Sequence, residues 1–112
     1  MDVIDLCLSL GSSQLAHIVR PQLLRAGTGV AANHRAASHC RSRKEFVAKL
    51  SVVIEEADES ELWLDVLETK RHGAPAEVKR LRQEAVELRA IFGKSRSTAA
   101  AKLRKKRVPP PD

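Results

Sequence analysis

The feature that most constrains this chain is an apolar row, Phe46, Leu50, Val53, Ala57, Ser60, Leu64 and Leu67, at alternating steps of four and three. Those steps place side chains on one stripe of an α-helix, whereas a strand repeats its faces every second residue. The row predicts a long helix over residues 43–72 with a heptad seam, which needs other helices to cover it. Ser42-Arg43-Lys44-Glu45 reads as a capping box at its start. Lys70, Arg71 and His72 suit the negative end of the helix dipole, and Gly73 is the expected left-handed residue at C′.

The neighbouring segments supply the cover. Pro75 fits a first helical turn with Glu77 beside it, and Val78, Leu81, Ala85, Leu88 and Phe92 continue the spacing, so a helix is expected over 75–98 or beyond. The short connection makes the two helices antiparallel neighbours packed at about 20°. Upstream, Ser12 or Ser13 can cap a helix over 14–39, with Ile18, Leu23, Leu24, Val30 and Ala31 as its apolar positions. Pro21 predicts a kink there or a start close to it. Residues 2–11 are apolar but allow only a stub of a first helix. The expected fold is an all-α, up-down-up-down antiparallel four-helix bundle over residues 1–98, with a truncated first helix. Residues 99–112 form a basic tail ended by Pro109 to Pro111.

Composition agrees. With 112 residues, 43% hydrophobic and 30% charged, the chain has room for one core and no second domain. Cys7 and Cys40 are too few and too far apart for a disulfide framework or a CxxC metal clip, so a reducing cytoplasm is the expected location. Val3 to Leu10 carries Asp2 and Asp5 where a leader would be basic, and no apolar run approaches the ~20 residues of a bilayer span.

Three blocks then become recognisable: Gln22-Leu23-Leu24-Arg25-Ala26-Gly27-Thr28-Gly29-Val30-Ala31-Ala32-Asn33-His34-Arg35-Ala36-Ala37, Ser42-Arg43-Lys44-Glu45-Phe46-Val47-Ala48-Lys49-Leu50 and Glu55-Glu56-Ala57-Asp58-Glu59-Ser60. In this order they resemble the bacterial four helix bundle protein family, over about Val3 to Arg96. That family includes proteins encoded in intervening sequences of 23S ribosomal RNA genes and the accessory variability determinant of diversity-generating retroelements. The resemblance implies a ring-like homopentamer with a basic surface able to hold RNA or DNA. It also implies a partner such as a reverse transcriptase or ribosomal RNA, and it brings no catalytic residues. The short first helix, Pro21 and the Pro-rich ending depart from the family pattern. The first departure is expected to leave apolar surface on the other helices uncovered, at ~25 cal/mol per Å².

Catalytic and metal chemistry find little to work with. Glu55, Glu56, Asp58, Glu59 and Glu61 lack the Glu-x-x-His partner of di-iron bundles, and a solvated or interprotomer acidic face explains them better. His34, His39 and Cys40 have no second ligand pair, and Cys40 reads as a packing residue. Gly27-Thr28-Gly29 has neither the preceding strand nor the Gly-Lys-Ser/Thr of a phosphate loop, so close helix packing is the better reading. Trp63 sits beside the seam and is expected to cover an edge of the bundle. No catalytic residue, metal or cofactor is expected.

The basic residues carry the functional expectation. The net charge is +6, and removing Lys102 to Asp112 takes away five cations and one anion and leaves +2. Candidate phosphate contacts are Arg20, Arg25 and Arg35 on the second helix, Arg41, Arg43 and Lys44 at the turn into the third, and Lys102, Arg104, Lys105, Lys106 and Arg107 in the tail. Such groups release counterions from a nucleic acid and give salt-dependent, sequence-independent affinity. The expected function is a non-enzymatic oligomeric bundle that binds nucleic-acid backbone, as an accessory factor to an RNA- or DNA-acting enzyme. The alternative is a protein-interaction scaffold in which the acids of residues 55–68 dock basic surfaces, without nucleic acid.

Overall fold

The computed structural model describes residues 2–107, with side chains through Lys105. It is an all-α four-helix bundle: α1 (Val3–Ser9), α2 (Gln14–Ser38), α3 (Arg43–Thr69) and α4 (Pro75–Arg107). The tail expected over 99–112 therefore continues α4 as far as Arg107, with Ala99 still buried. Residues 108–112, including Pro109 to Pro111, lie outside the described residues.

The seam is where the spacing put it. Leu50, Val53, Ala57, Ser60, Leu64 and Leu67 are all buried, and Phe46 is half-buried. Ser42 caps α3, its Oγ accepting from the Glu45 N–H at 3.1 Å. The reciprocal arm of the box is displaced by one residue, since the Glu45 carboxylate accepts from the Arg41 N–H at 3.4 Å. At the other end the helix closes one turn earlier than expected. Arg71, with φ 53°, occupies the left-handed C′ position. The His72 N–H donates to Leu67 O at 2.9 Å and the Arg71 N–H to Glu68 O at 3.1 Å, the two bonds of a Schellman motif. Gly73, with φ 86°, then turns the chain toward α4.

α2 differs from its expected face. Ala16, Val19, Leu23, Ala26 and Ala37 are its buried residues, while Ile18 is 53% exposed. The helix also continues through Pro21 and does not start there. Both Pro21 and His17, whose carbonyl loses its helical donor, are exposed, so water can take the place of the missing bond.

α3 is central, with α2 packed on one side and α4 on the other, and α1 lies against α2 at one end only. The result is a rod of 66 × 21 × 20 Å. Where α1 is present, the core is built of large side chains, Leu6, Leu10, Val19, Leu23, Leu64, Leu67, Val78 and Leu81. Beyond α1, the bundle is three helices thick and smaller residues, Ala26, Ala37, Ala57, Ala85 and Ala99, take over much of the core. An apolar groove of 540 Å³ remains there between α2 and α4, floored by Ala57, Ser60 and Leu64 of α3. Asp2, Val3 and Ile4 close one end of this groove, and α1 covers no more of it. Among the described residues, no helix is long and apolar enough to cross a membrane.

α1 has seven residues, too few to hold itself together in water. Its anchors come from α2. Arg20 Nε donates to Cys7 O at 2.9 Å, a carbonyl that also takes the long 3.4 Å bond from the Leu10 N–H, and its Nη2 donates to Gly11 O in the loop after α1. Gly27 lets the Val3 side chain rest on the α2 backbone: a Cβ there would lie 2.7 Å from Val3 Cγ1. His72 joins the two hairpins, with Nε2 3.0 Å from Leu10 O.

Candidate nucleic-acid interface

The charged residues divide into a paired set and an unpaired one. Three arginines each span two acids set three apart on α3. Arg25 of α2 contacts Glu56 and Glu59, Arg82 of α4 contacts Asp65 and Glu68, both at 3.6 Å, and Arg89 of α4 contacts Asp58 at 3.9 Å and Glu61 at 2.8 Å. Six of the acids expected to face another protomer are thus partnered within the chain. Partly exposed pairs of this kind stabilise by at most ~1 kcal/mol each. Their effect here is to cancel the negative charge of α3 where it stands.

The opposite end of the rod is built differently. The end of α2, the turn into α3 and the late part of α4 enclose an open depression of 960 Å³. Arg41, Arg43, Lys94 and Lys102 line it, together with the hydroxyls of Ser38, Ser42, Ser95 and Thr98. Among the described residues no acid lines it, although the Glu45 carboxylate stands at the Arg41 N–H, and Phe46 and Ile91 provide apolar surface. None of these four cations has an ion-pair partner among the described residues. The Ser42 Oγ accepts from a backbone N–H and keeps its own proton for a ligand.

The sequence candidates therefore fall into four groups. Arg41, Arg43 and Lys102 come together in the depression. Arg35, Lys44, Arg104 and Lys105 are exposed on the helices beside it without lining it. Arg20 and Arg25 are engaged inside the fold, one on carbonyls of α1 and the loop after it, the other on α3 acids. The side chains of Lys106 and Arg107 lie outside the described residues. Lys94 was missed, as were the hydroxyls of Ser95 and Thr98. Lys94, Thr98 and Lys102 recur every four residues, which sets them on one face of α4, and that spacing was the available signal.

The other chemical candidates stay apart. His34 packs on Phe92 with ring centroids 5.1 Å apart, His39 is the C-cap of α2, and the Cys40 Sγ–H donates to Ala36 O at 3.4 Å. Among the described residues, no three His, Cys, Asp or Glu side chains converge as metal ligands would. Burial pushes the Cys7 thiol up, opposed by the nearby Arg20 charge. The Glu77 carboxyl is held down by its hydrogen bonds from Arg80. Gly27 and Gly29 serve close packing, one against Val3 and the other against Glu56. Trp63 packs on the core beside α1 with its Nε1 buried and without a partner.

A rod of antiparallel helices, neutralised along its middle and cationic at one end, defines a small helical bundle with a basic tip. The chain belongs to the 23S rRNA-intervening sequence protein family, whose profile matches residues 1–94. It is also similar to the crystal structure of a protein of unknown function from the S23 ribosomal protein family of Bacteroides thetaiotaomicron. The two share 28% sequence identity and a TM-score of 0.73, over 80% of this chain and 83% of that one. No curated protein matches the chain.

Proposed function

We propose that this chain is a non-enzymatic, oligomeric helical bundle that holds nucleic-acid backbone at its basic end, as an accessory factor to an enzyme acting on that nucleic acid. One observation carries the proposal: Arg41, Arg43, Lys94 and Lys102 line one depression that no acid lines among the described residues, whereas most α3 acids are paired. Phosphates would replace solvent around these cations and release condensed counterions, with positioning and without base readout. The scaffold alternative loses its main support, since its acidic docking face is already occupied by Arg25, Arg82 and Arg89.

Oligomer formation, with five protomers as the proposed number, would multiply a four-cation patch through effective concentration without adding contacts within a protomer. Exposed Ile4, Leu8, Ile18 and Leu62 supply apolar surface for contact between copies. Light scattering at moderate salt reads the protomer number directly, and a monomer at tens of micromolar protein would refute this part.

Four phosphate contacts on a duplex give a slope of log affinity against log salt of about −3.6, or roughly 100-fold weaker binding between 50 and 200 mM salt. Fluorescence anisotropy with a mixed-sequence oligonucleotide measures that slope. The triple variant Arg43→Gln, Lys94→Gln, Lys102→Gln is expected to flatten it by about 2.7. Arg82→Gln, on the paired part of the rod, leaves it unchanged. An unaltered slope in the triple variant, or no binding at 50 mM salt and micromolar protein, would overturn the proposal.

A further inference from the structure

The depression holds more than charge, and its shape discriminates among nucleic acids. We infer that its ligand is a single strand, with phosphates on the cationic wall and an unpaired base against Phe46. This inference rests on the nucleic-acid reading above and narrows it.

The rod is only 21 × 20 Å in cross-section, comparable to the width of a duplex. A duplex, rigid and about as wide as the rod, can lay phosphates on the cations but keeps its paired bases out of the concavity. A single strand is thin and flexible, and 960 Å³ of open space is near the upper end of the roughly 300–1,000 Å³ that encloses a drug-sized ligand. A nucleotide or two can therefore enter.

Phe46 is half-buried on α3 and lines the depression together with Ile91 of α4, where they sit among Arg43, Lys94 and Lys102. Phe46 begins the α3 seam, yet it is only half-buried and leaves part of its surface open to the cationic depression. Single-strand binders combine these two components, a positive groove for the backbone and a ring on which bases stack. A duplex keeps its bases stacked on one another and offers the ring nothing. Contact with one unpaired base is worth roughly 5- to 150-fold in affinity, with little dependence on which base it is. The Ser42 hydroxyl, with its proton unclaimed by the helix cap, adds a neutral donor to sugar or phosphate oxygens.

The experiment uses the full chain and three fluorescent probes of equal length: a mixed-sequence single strand, the same strand annealed to its complement, and an abasic strand with the same phosphates. The base-bearing single strand is expected to bind at least about fivefold tighter than either other probe. Phe46→Leu, which keeps an apolar side chain on the seam, should remove most of that preference and leave the salt slope unchanged. Circular dichroism confirms the helical fold of the variant, and the probe comparison on the unmodified protein needs no variant at all. Equal binding of all three probes, or a preference untouched by Phe46→Leu, overturns the single-strand inference while the backbone-binding function stands. Failure to bind any probe at low salt overturns both. RNA and DNA versions of the single strand distinguish the two sources of the same chemistry.

Discussion

Replacing Gly27 with Ala sets two opposing effects against each other on one atom. In a helix interior Ala is better than Gly by about 1 kcal/mol, because Gly gives up more backbone freedom on folding. Against this, the new Cβ would stand 2.7 Å from Val3 Cγ1, 3.3 Å from Val3 Cβ and 3.4 Å from Val3 Cγ2. Rotating the Val3 side chain can carry Cγ1 away, but only into a less favoured rotamer, and Cβ stays at 3.3 Å in every rotamer, so the start of α1 must also give way. That movement is restrained, because Leu6, Cys7 and Leu10 are buried farther along the same segment and Arg20 holds its last carbonyls. Inserting a carbon into packed surroundings of this kind costs about 1–3 kcal/mol. The expected net effect of Gly27→Ala is therefore a loss of about 1 kcal/mol. In a Val3→Ala background both Cγ atoms are gone and the sign reverses, so the same substitution stabilises by about 1 kcal/mol. Urea unfolding of the four proteins, followed by circular dichroism, reads this as a coupling of about 2 kcal/mol. Additivity within about 0.5 kcal/mol would show that α1 does not rest on Gly27, and would undo the seating of α1 at this end of the rod.

Two further outcomes follow from the fold. Arg71 holds a left-handed conformation at φ 53° that disfavours any residue with a Cβ, so Arg71→Gly is expected to stabilise by about 1 kcal/mol and raise the thermal midpoint by roughly 4 °C in scanning calorimetry. Leu50→Asp and Leu64→Asp each place an unpaired carboxylate at a seam position, 2% and 1% exposed respectively. The cost of several kcal/mol approaches the stability of a small domain, and circular dichroism should show loss of helix in both, with an unchanged midpoint refuting the seam.

The parts of the fold legible in the sequence were those written in large side chains. The α3 row and its continuation on α4 repeat too regularly to be anything but helical seams. On α2 the same reading favoured Ile18, which is exposed, over Ala16 and Ala26, which are buried. Alanine carries too little apolar area to announce a core position, yet it is what close approach in a three-helix section requires. The C′ residue was placed at Gly73 because glycine is the usual occupant, whereas the hydrogen bonds put Arg71 there and use Gly73 for the next turn. For the site, Arg41, Arg43 and Lys102 were legible as charge. Lys94 was not, because only the antiparallel register of α3 and α4, which sets Arg96 against Ser51, brings it into one depression with Arg41 and Arg43. The same register turns Arg82 and Arg89 from plain cations into partners of α3 acids.

That pairing bears directly on whether a polyanion can approach. The acidic stretch of α3 begins at Glu55, twelve residues after Arg43, which at 1.5 Å of rise per residue is about 18 Å along the helix. The Debye length at physiological salt is only about 8 Å, so unpaired acids at that distance would already be screened from the depression. A strand longer than the depression would nevertheless run alongside the bundle and meet them. Arg25, Arg82 and Arg89 remove this penalty locally, each matching two carboxylates across a helix boundary. Neither arginine on α4 could be moved to the basic end without exposing an acidic belt behind it. Attraction at the tip and neutrality along the flank are two consequences of one arrangement of charge, fixed by the register in which α2 and α4 pack on α3.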